Sequence, residues 1–219
     1  MTESTESLTR SQAAASDGID DWRVVAHTLQ SSFRTGSMAA GVEFAGRIVT
    51  MADEANHHPD LTVTYPRVHV LLTTHDTGGL TTRDVDLARK ISAVAAEMGI
   101  EADPLAVAQV EVAIDAMDIP AVKPFWEAVM GYRSSSDDDA TDPYGRGPAL
   151  WFQQMDEPRP QRNRIHVDVM VPHDAAAARI EATIAAGGTL VSDAEAPSFW
   201  VLADPEGNEA CICTWQARD

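Results

Sequence analysis

Cysteine is nearly absent from this 219-residue sequence, which contains only Cys211 and Cys213. Two residues apart on a strand, their side chains point to the same face but lack the geometry for an easy disulfide. We therefore interpret them as buried free thiols, each packing as a small apolar side chain. This pattern excludes a disulfide-stabilised secreted domain and is typical of a reducing compartment, so we expect a cytoplasmic protein.

Long apolar runs and basic residues are also scarce. No segment approaches the roughly 20 consecutive apolar residues that a membrane-spanning helix needs, and the polar N-terminus lacks the apolar core of a signal peptide. Acidic residues outnumber basic residues by 34 to 16, for a formal net charge of -18. Such a surface repels nucleic acid and anionic membranes, so we expect neither as a partner.

The first hundred residues show both helical and strand patterns. The spacing of apolar residues predicts helices over residues 8–31, 38–54 and about 81–98. Two strand patterns, at 62–65 and 68–73, lie between the second and third helices. This order is typical of an α+β domain. The apolar face predicted for the second helix consists of Val42, Ala45, Ile48, Val49 and Ala52.

The second half of the chain has a different organisation. A helix stop followed by a linker pattern predicts domains over residues 1–103 and 104–219. The order of strand, helix and further strands then occurs twice, over 107–150 and 164–215, which indicates a weak internal repeat. We expect the acidic stretch 134–148 to form a solvated loop.

Four of the seven histidines lie between residues 57 and 75. His57, His58 and His75 adjoin turn-forming or acidic residues, and imidazole is the side chain best suited to proton transfer near neutral pH. A zinc site is one alternative, although no Cys or spaced His partner lies nearby in the sequence. The other alternative is that these histidines lie in polar loops and have no catalytic or metal-binding role.

The sequence around these histidines resembles the pterin-4a-carbinolamine dehydratases. The resemblance covers about residues 20–98 and depends on the strings NHHPD, at 56–60, and THD-x-GGLT-x-x-D, at 74–84. It implies a four-stranded antiparallel sheet with helices on one face. The implied reaction is loss of water from 4a-hydroxy-tetrahydropterin to give quinonoid dihydropterin, with no metal or organic cofactor. The resemblance also implies a pterin substrate and a homo-oligomer.

The same resemblance implies an active site. Its three catalytic histidines correspond to His57, His58 and His75, and its acidic substrate-binding residues to Glu54 and Asp76. We interpret His58 and His75 as the acid–base pair, one taking a proton from the ring nitrogen and the other protonating the departing hydroxyl. His57 would orient the substrate. Glu54 and Asp76 would hold imidazole tautomers or bind the amino-pyrimidine edge.

Residues of about 107–216 resemble the glyoxalase-like group of the vicinal oxygen chelate superfamily, most specifically through the string DPEGNE at 204–209. The resemblance implies paired βαβββ modules that form a cupped sheet around a small-molecule site. A neutral amide is a poor metal ligand, so a metal-free pocket and a purely structural domain are the alternatives to a metal site. The implied ligands for a divalent metal are Glu111, Gln153, His166 and Glu209.

Three functions are consistent with these patterns. The first is a 4a-hydroxytetrahydrobiopterin dehydratase that uses histidine acid–base catalysis and carries a small-molecule-binding second domain. The second is a non-catalytic dimerisation module, because the dehydratase family also contains dimerisation cofactors of transcription factors. The third is a metal-dependent lyase or dioxygenase whose activity lies in the second domain. The intact trio of His57, His58 and His75 favours the enzyme, since a scaffold has no need of it.

Overall fold

The computed structural model describes residues 6–123, 132–158, 165–185, 188–203 and 209–218. The chain divides into two compact units, which we call the first and second unit. The first comprises residues 1–108, 172–175 and 214–219, and the second comprises 109–171 and 176–213. The predicted boundary at residues 103 and 104 stays a prediction. Among the described helices, none combines the length and the apolar character needed to cross a bilayer.

The first unit contains an antiparallel sheet, as predicted. Its elements are β1 (Ser7–Leu8), α1 (Arg10–Ala14), β2 (Arg23–Val25), β3 (Thr28–Arg34), α2 (Met38–Ala55), β4 (Asp60–Thr64), β5 (Arg67–Leu72), β6 (Leu80–Thr81), α3 (Thr82–Glu97) and β7 (Glu101–Ala102). Strand β3 pairs with β2, β5 and β7, and β4 pairs with β5, so this sheet has one strand more than the four expected. Strands β1 and β6 form a separate antiparallel pair.

One face of this sheet packs against α2 and α3. Strand β5 alternates strictly, and its buried residues face the same core as the inner sides of the two helices. Phe33 of β3 contacts Phe44 of α2 edge-to-face, with ring centroids 5.1 Å apart. Trp22 packs against Phe33 in the same manner at 5.8 Å. These aromatic contacts hold α2 against the sheet that supports the histidine segments.

The predicted helix over residues 8–31 is wrong beyond its first turns. Only Arg10–Ala14 is helical, and the chain then forms the β2–β3 hairpin through Ala26, which has a φ of 51°. Trp22 and Leu29 are both buried, Trp22 from the segment that precedes β2 and Leu29 from β3. The spacing of apolar residues in this segment is compatible with a helix and with a strand. Pairing of β3 with the distant β5 selects the strand.

The second predicted helix is confirmed as α2, and Ile48 and Ala52 of its predicted apolar face are buried, but the rest of the buried face differs from the prediction. Val42 and Val49 are 60% and 47% exposed, and Met38 lies on the same side at 46%. We call Met38, Val42 and Val49 the exposed α2 stripe. A helix that is apolar over most of its circumference does not show in its sequence which arc faces the core. The buried arc consists of Gly41, Phe44, Ile48 and Ala52.

The second unit contains the paired βαβββ modules that the sequence predicts. Its elements are β8 (Gln109–Ala116), a helical segment at 119–123, β9 (Arg133–Ser134), β10 (Asp139–Thr141), β11 (Ala149–Gln154), β12 (Ile165–Met170), α4 (Ala176–Ala185), β13 (Thr189–Ser192), β14 (Phe199–Ala203) and β15 (Glu209–Cys213). The sheet order is β13-β14-β15-β12-β8-β11-β10-β9. The sequence predicts a helix over residues 119–129, and its part beyond residue 123 lies outside the described residues.

The two modules repeat one topology. The first strand of each module pairs in parallel with its last, β8 with β11 and β12 with β15. The modules join through the antiparallel pair of β8 and β12. The loop predicted at 134–148 is wrong where β10 and the end of β9 lie, because these short edge strands are specified by pairing with β11 rather than by a local apolar pattern.

Candidate functional site

A left-handed turn at the end of α2 positions the first two histidines. Asn56 adopts φ 45° and ψ 45°, and the next amide, of His57, donates to the carbonyl of Ala52 at 3.0 Å. Asparagine is one of the few residues other than glycine that enter this region readily. The turn sends His57 inward, where it is 5% exposed, and leaves His58 exposed.

The His57 side chain contacts a buried carboxylate. Its Nε2 lies 2.8 Å from Oδ1 of Asp84, which is completely buried in the first turn of α3. The other oxygen, Oδ2, accepts hydrogen bonds from the Thr81 amide at 2.7 Å and from the Thr74 hydroxyl at 2.8 Å. Thr81 and Asp84 also form the capping box of α3. One carboxylate therefore caps a helix and connects two loops.

The electrostatics of Asp84 favour its ionised form. Burial by itself raises the pKa of this carboxyl, but hydrogen bonds from His57, the Thr81 amide and the Thr74 hydroxyl outweigh it, so the pKa lies below its usual value. An ionised carboxylate only accepts hydrogen bonds. His57 therefore donates through Nε2, which fixes the position of that proton.

The third histidine lies on a tight loop between β5 and β6. Thr74 pairs with Gly79, and the Gly78 amide donates to the Thr74 carbonyl at 3.1 Å. Gly78 has a φ of +64°, which glycine adopts without strain, and Gly79 forms the backbone pairing with Thr74. His75 is exposed at the tip of this loop. Because Thr74 contacts Asp84, the His75 loop is linked to the His57 turn.

The carboxylate that contacts His58 is not one of the two predicted to bind substrate. His58 Nε2 lies 3.0 Å from Oδ1 of Asp53, and both side chains are more than half exposed. Glu54, the residue predicted to bind substrate, is exposed on the next position of α2, and Asp76 is exposed beside His75. Within the described residues, neither the Glu54 nor the Asp76 carboxylate makes a hydrogen bond or an ion pair. A substrate would find both carboxylates accessible.

In the second unit, one face of the sheet is polar. Glu111 pairs with Asp168, His166 with Ala113 and Gln153 with Asp115, so these side chains share a face. The opposite face packs against the helical segment at 119–123 and against α4. Glu209 lies on the polar face too, two residues before Cys211, which pairs with Asp168. All four predicted metal ligands, Glu111, Gln153, His166 and Glu209, therefore lie on the polar face.

The residues grouped most closely on that face include two that were not predicted. His166, Asp168 and Cys211 each place a ligand atom within 4.8 Å of the others. His166 Nε2 is 3.6 Å from Oδ1 of Asp168, and its Nδ1 is 3.7 Å from Oδ1 of Asp115. Because side chains alternate along a strand, the sequence could have indicated that Asp168 shares a face with His166. Only the pairing of β12 with β15 brings Cys211 beside these two residues.

The cluster fits a divalent metal better than the predicted set does. Imidazole, carboxylate and thiolate are all ligands that zinc accepts, and Gln153 offers only a neutral amide. Gln153 and Glu209 are exposed, whereas Asp168 and Cys211 are 7% and 6% exposed. A bound ion would supply a Lewis acid on this face of the sheet.

Comparison with known proteins identifies both halves of the chain. A family model described as pterin 4 alpha carbinolamine dehydratase matches residues 4–94, and one described as a glyoxalase-like domain matches residues 111–213. A pterin-4-alpha-carbinolamine dehydratase of Thermomicrobium roseum is 42% identical over 77 residues, 35% of this chain and 83% of the relative. One of Thermosynechococcus vestitus is 43% identical over 74 residues, 34% of this chain and 78% of the relative.

Among solved structures, a transcriptional coactivator/pterin dehydratase from Brucella melitensis is 32% identical, with a TM-score of 0.37. The match covers 41% of this chain and 99% of that one. The high coverage of the two curated relatives, together with the two family models, establishes that this chain belongs to the pterin-4-alpha-carbinolamine dehydratase family and carries a glyoxalase-like domain after it.

Proposed function

We propose that the first unit dehydrates 4a-hydroxy-tetrahydropterin to quinonoid dihydropterin. The observation that carries this proposal is the link between the two histidine segments through Asp84, which contacts His57 on one oxygen and Thr74 on the other. Membership of the dehydratase family supports the class of reaction. The link keeps the segment bearing His58 and the loop bearing His75 beside the first turn of α3.

In this proposal, His58 and His75 carry out the two proton transfers. One imidazole takes the proton from the pterin ring nitrogen, and the electron pair of that N–H bond forms a C=N bond at C4a. The C4a–O bond breaks, and the other imidazole protonates the departing hydroxyl, which leaves as water. Both histidines are exposed, so solvent restores their protonation states between turnovers. The reaction needs no oxidant or reductant.

His57 has a positioning role in this proposal. Its imidazole is 5% exposed and donates to Asp84, so it holds the turn that presents His58. The exposed carboxylates of Glu54 and Asp76 are available to accept hydrogen bonds from the amino-pyrimidine edge of the pterin.

The test is the rate of dehydration of freshly generated 4a-hydroxy-tetrahydropterin by the full chain. We expect His58→Ala and His75→Ala each to lower the rate at least tenfold, since a general acid or base contributes roughly 10²–10⁴-fold. His27→Ala, which removes an exposed histidine from the β2–β3 turn, is the matched control and should retain the rate. Treatment with EDTA should also leave the rate unchanged. A His75→Ala protein that folds normally and retains full activity would contradict the proposal.

We also propose that the chain self-associates through the exposed α2 stripe. Met38, Val42 and Val49 are 46%, 60% and 47% exposed, and they follow one side of an 18-residue helix. Apolar side chains aligned in this way on a helix are typical of a helix–helix interface.

A further inference from the structure

We propose that His166, Asp168 and Cys211 bind a zinc-type divalent transition metal in the second unit. This ligand set differs from the residues that the glyoxalase resemblance implies, with which it shares only His166. The proposal does not depend on the dehydratase activity of the first unit.

The spacing of the ligand atoms supports a metal rather than direct hydrogen bonding. Metal–ligand bonds of about 2.0–2.3 Å at a tetrahedral angle separate two ligand atoms by about 3.3–3.8 Å. His166 Nε2 and Asp168 Oδ1 are 3.6 Å apart, within this range and beyond the length of a good N–H···O hydrogen bond. The ligand atoms of the whole trio lie within 4.8 Å of one another.

Neighbouring side chains orient both the carboxylate and the imidazole of the trio. Asp168 Oδ2 accepts a hydrogen bond from the Trp151 indole at 3.0 Å, which leaves Oδ1 directed at His166. His166 Nδ1 faces Oδ1 of Asp115 at 3.7 Å, on the side of the ring away from Asp168. Metal-bound histidines usually direct their second nitrogen at a carboxylate in this way, which fixes the ring tautomer.

The chemistry of the trio determines which cation it would bind. A thiolate and one carboxylate neutralise a divalent ion, and a sulfur ligand disfavours magnesium, calcium and manganese. Three protein ligands leave the fourth tetrahedral position open for water or for an oxygen atom of a small ligand. We therefore expect an exchangeable site rather than a closed structural one.

The experiment is a titration of the metal-free, reduced full chain with Co²⁺, followed by absorption spectroscopy. We expect one equivalent to bind, with visible bands of a tetrahedral ion and a near-ultraviolet sulfur-to-cobalt charge-transfer band, and Zn²⁺ to remove both. Cys211→Ser should lose the charge-transfer band. Cys213→Ser, an equally buried cysteine two residues along the same strand, is the matched control and should keep it.

Further variants keep the proposal testable if Cys211→Ser fails to fold. We expect Asp168→Asn and His166→Gln each to weaken Co²⁺ binding at least tenfold, while Glu209→Gln changes it less than twofold. Retention of the charge-transfer band in a folded Cys211→Ser protein would overturn the proposal. So would tight binding in Asp168→Asn together with loss of binding in Glu209→Gln, which would assign the ion to the residues implied by the resemblance. Absence of any Co²⁺ binding to the reduced full chain would also overturn it.

Discussion

At the scale of single residues, Asp84 has the largest structural effect in the candidate dehydratase site. It is completely buried, and its two oxygens contact groups from three segments: the turn after α2, the loop before β6 and the start of α3. Buried carboxylates are tolerated only when they are fully hydrogen-bonded, because desolvation of an unpaired charge is costly. This residue therefore couples the stability of the first unit to the geometry of its histidines.

We expect Asp84→Asn to destabilise the first unit by about 2–4 kcal/mol, because a neutral amide weakens or loses hydrogen bonds that, to a charged group, contribute about 1.5–3 kcal/mol each. The asparagine side chain also places an NH₂ group, which only donates hydrogen bonds, against neighbouring groups that are themselves donors. The measurement is urea denaturation of the full chain. Asp86→Asn, which removes an exposed carboxylate that pairs with Arg89 on the same helix, is the control. Asp86→Asn should lower the free energy of unfolding by less than about 1 kcal/mol. Equal effects of the two substitutions would contradict this account of Asp84.

The lowered pKa of Asp84 predicts how its contribution depends on pH. Its folded pKa lies below the unfolded value of about 3.9, so the unfolded state binds more protons as the pH falls through that region. The stabilisation is therefore fully present above about pH 5 and is lost progressively as the pH falls from there through the folded pKa of Asp84. We expect the difference in unfolding free energy between the native chain and Asp84→Asn to be constant near neutrality and to shrink on acidification. A difference that does not change with pH would show that Asp84 is not ionised in the folded state.

At the scale of secondary-structure elements, the ends of α2 and α3 build the site more than the helix interiors do. Helix α2 ends at Asn56, and helix α3 begins with the capping box of Thr81 and Asp84. The Arg83 guanidinium donates to the Asn56 carbonyl, so these two helix ends are in direct contact. The left-handed conformation at Asn56 is what directs His57 and His58 in opposite directions.

We expect Asn56→Gly to keep both stability and dehydration rate near those of the native chain, because glycine adopts this conformation without strain. Asn56→Val should lower the unfolding free energy by about 1–3 kcal/mol, since a β-branched residue is strained at positive φ. It should also lower the dehydration rate, because His57 and His58 follow directly. Thermal denaturation and the rate assay measure the two effects. If Asn56→Val behaves like Asn56→Gly, the turn is not what positions the histidines.

At the scale of the whole molecule, the first unit presents an apolar surface that a single chain leaves in water. We expect the double substitution Val42→Lys and Val49→Lys to shift the full chain towards monomer in sedimentation velocity, because two lysines at a helix–helix contact introduce repulsion and unpaired charge. Glu43→Lys, an exposed change on the same helix outside the stripe, is the control for altered net charge. A native chain that sediments as a monomer at high concentration would contradict the proposed self-association.

Prediction from sequence succeeded where local patterns decide structure. The helices α2 and α3 and the strands β4 and β5 all follow from the spacing of apolar residues within each segment. The repeated order of strand, helix and strands indicated a weak internal repeat, and the resemblance to the glyoxalase-like group implied the paired modules that the second unit contains. The histidine motif indicated the family, which the comparisons confirm, and the roles of the individual histidines stay predictions.

Other features of the protein were decided only by tertiary structure, because they depend on contacts between residues far apart in the chain. Pairing of β3 with β5 made a hairpin of a segment whose spacing also suits a helix, and packing against the sheet selected which arc of α2 is buried. The partnership of His57 with Asp84 spans 27 residues, and that of His166 with Cys211 depends on the register of β12 against β15. The local sequence determines the secondary-structure propensity of each element, whereas strand register and core packing determine where its side chains lie in space.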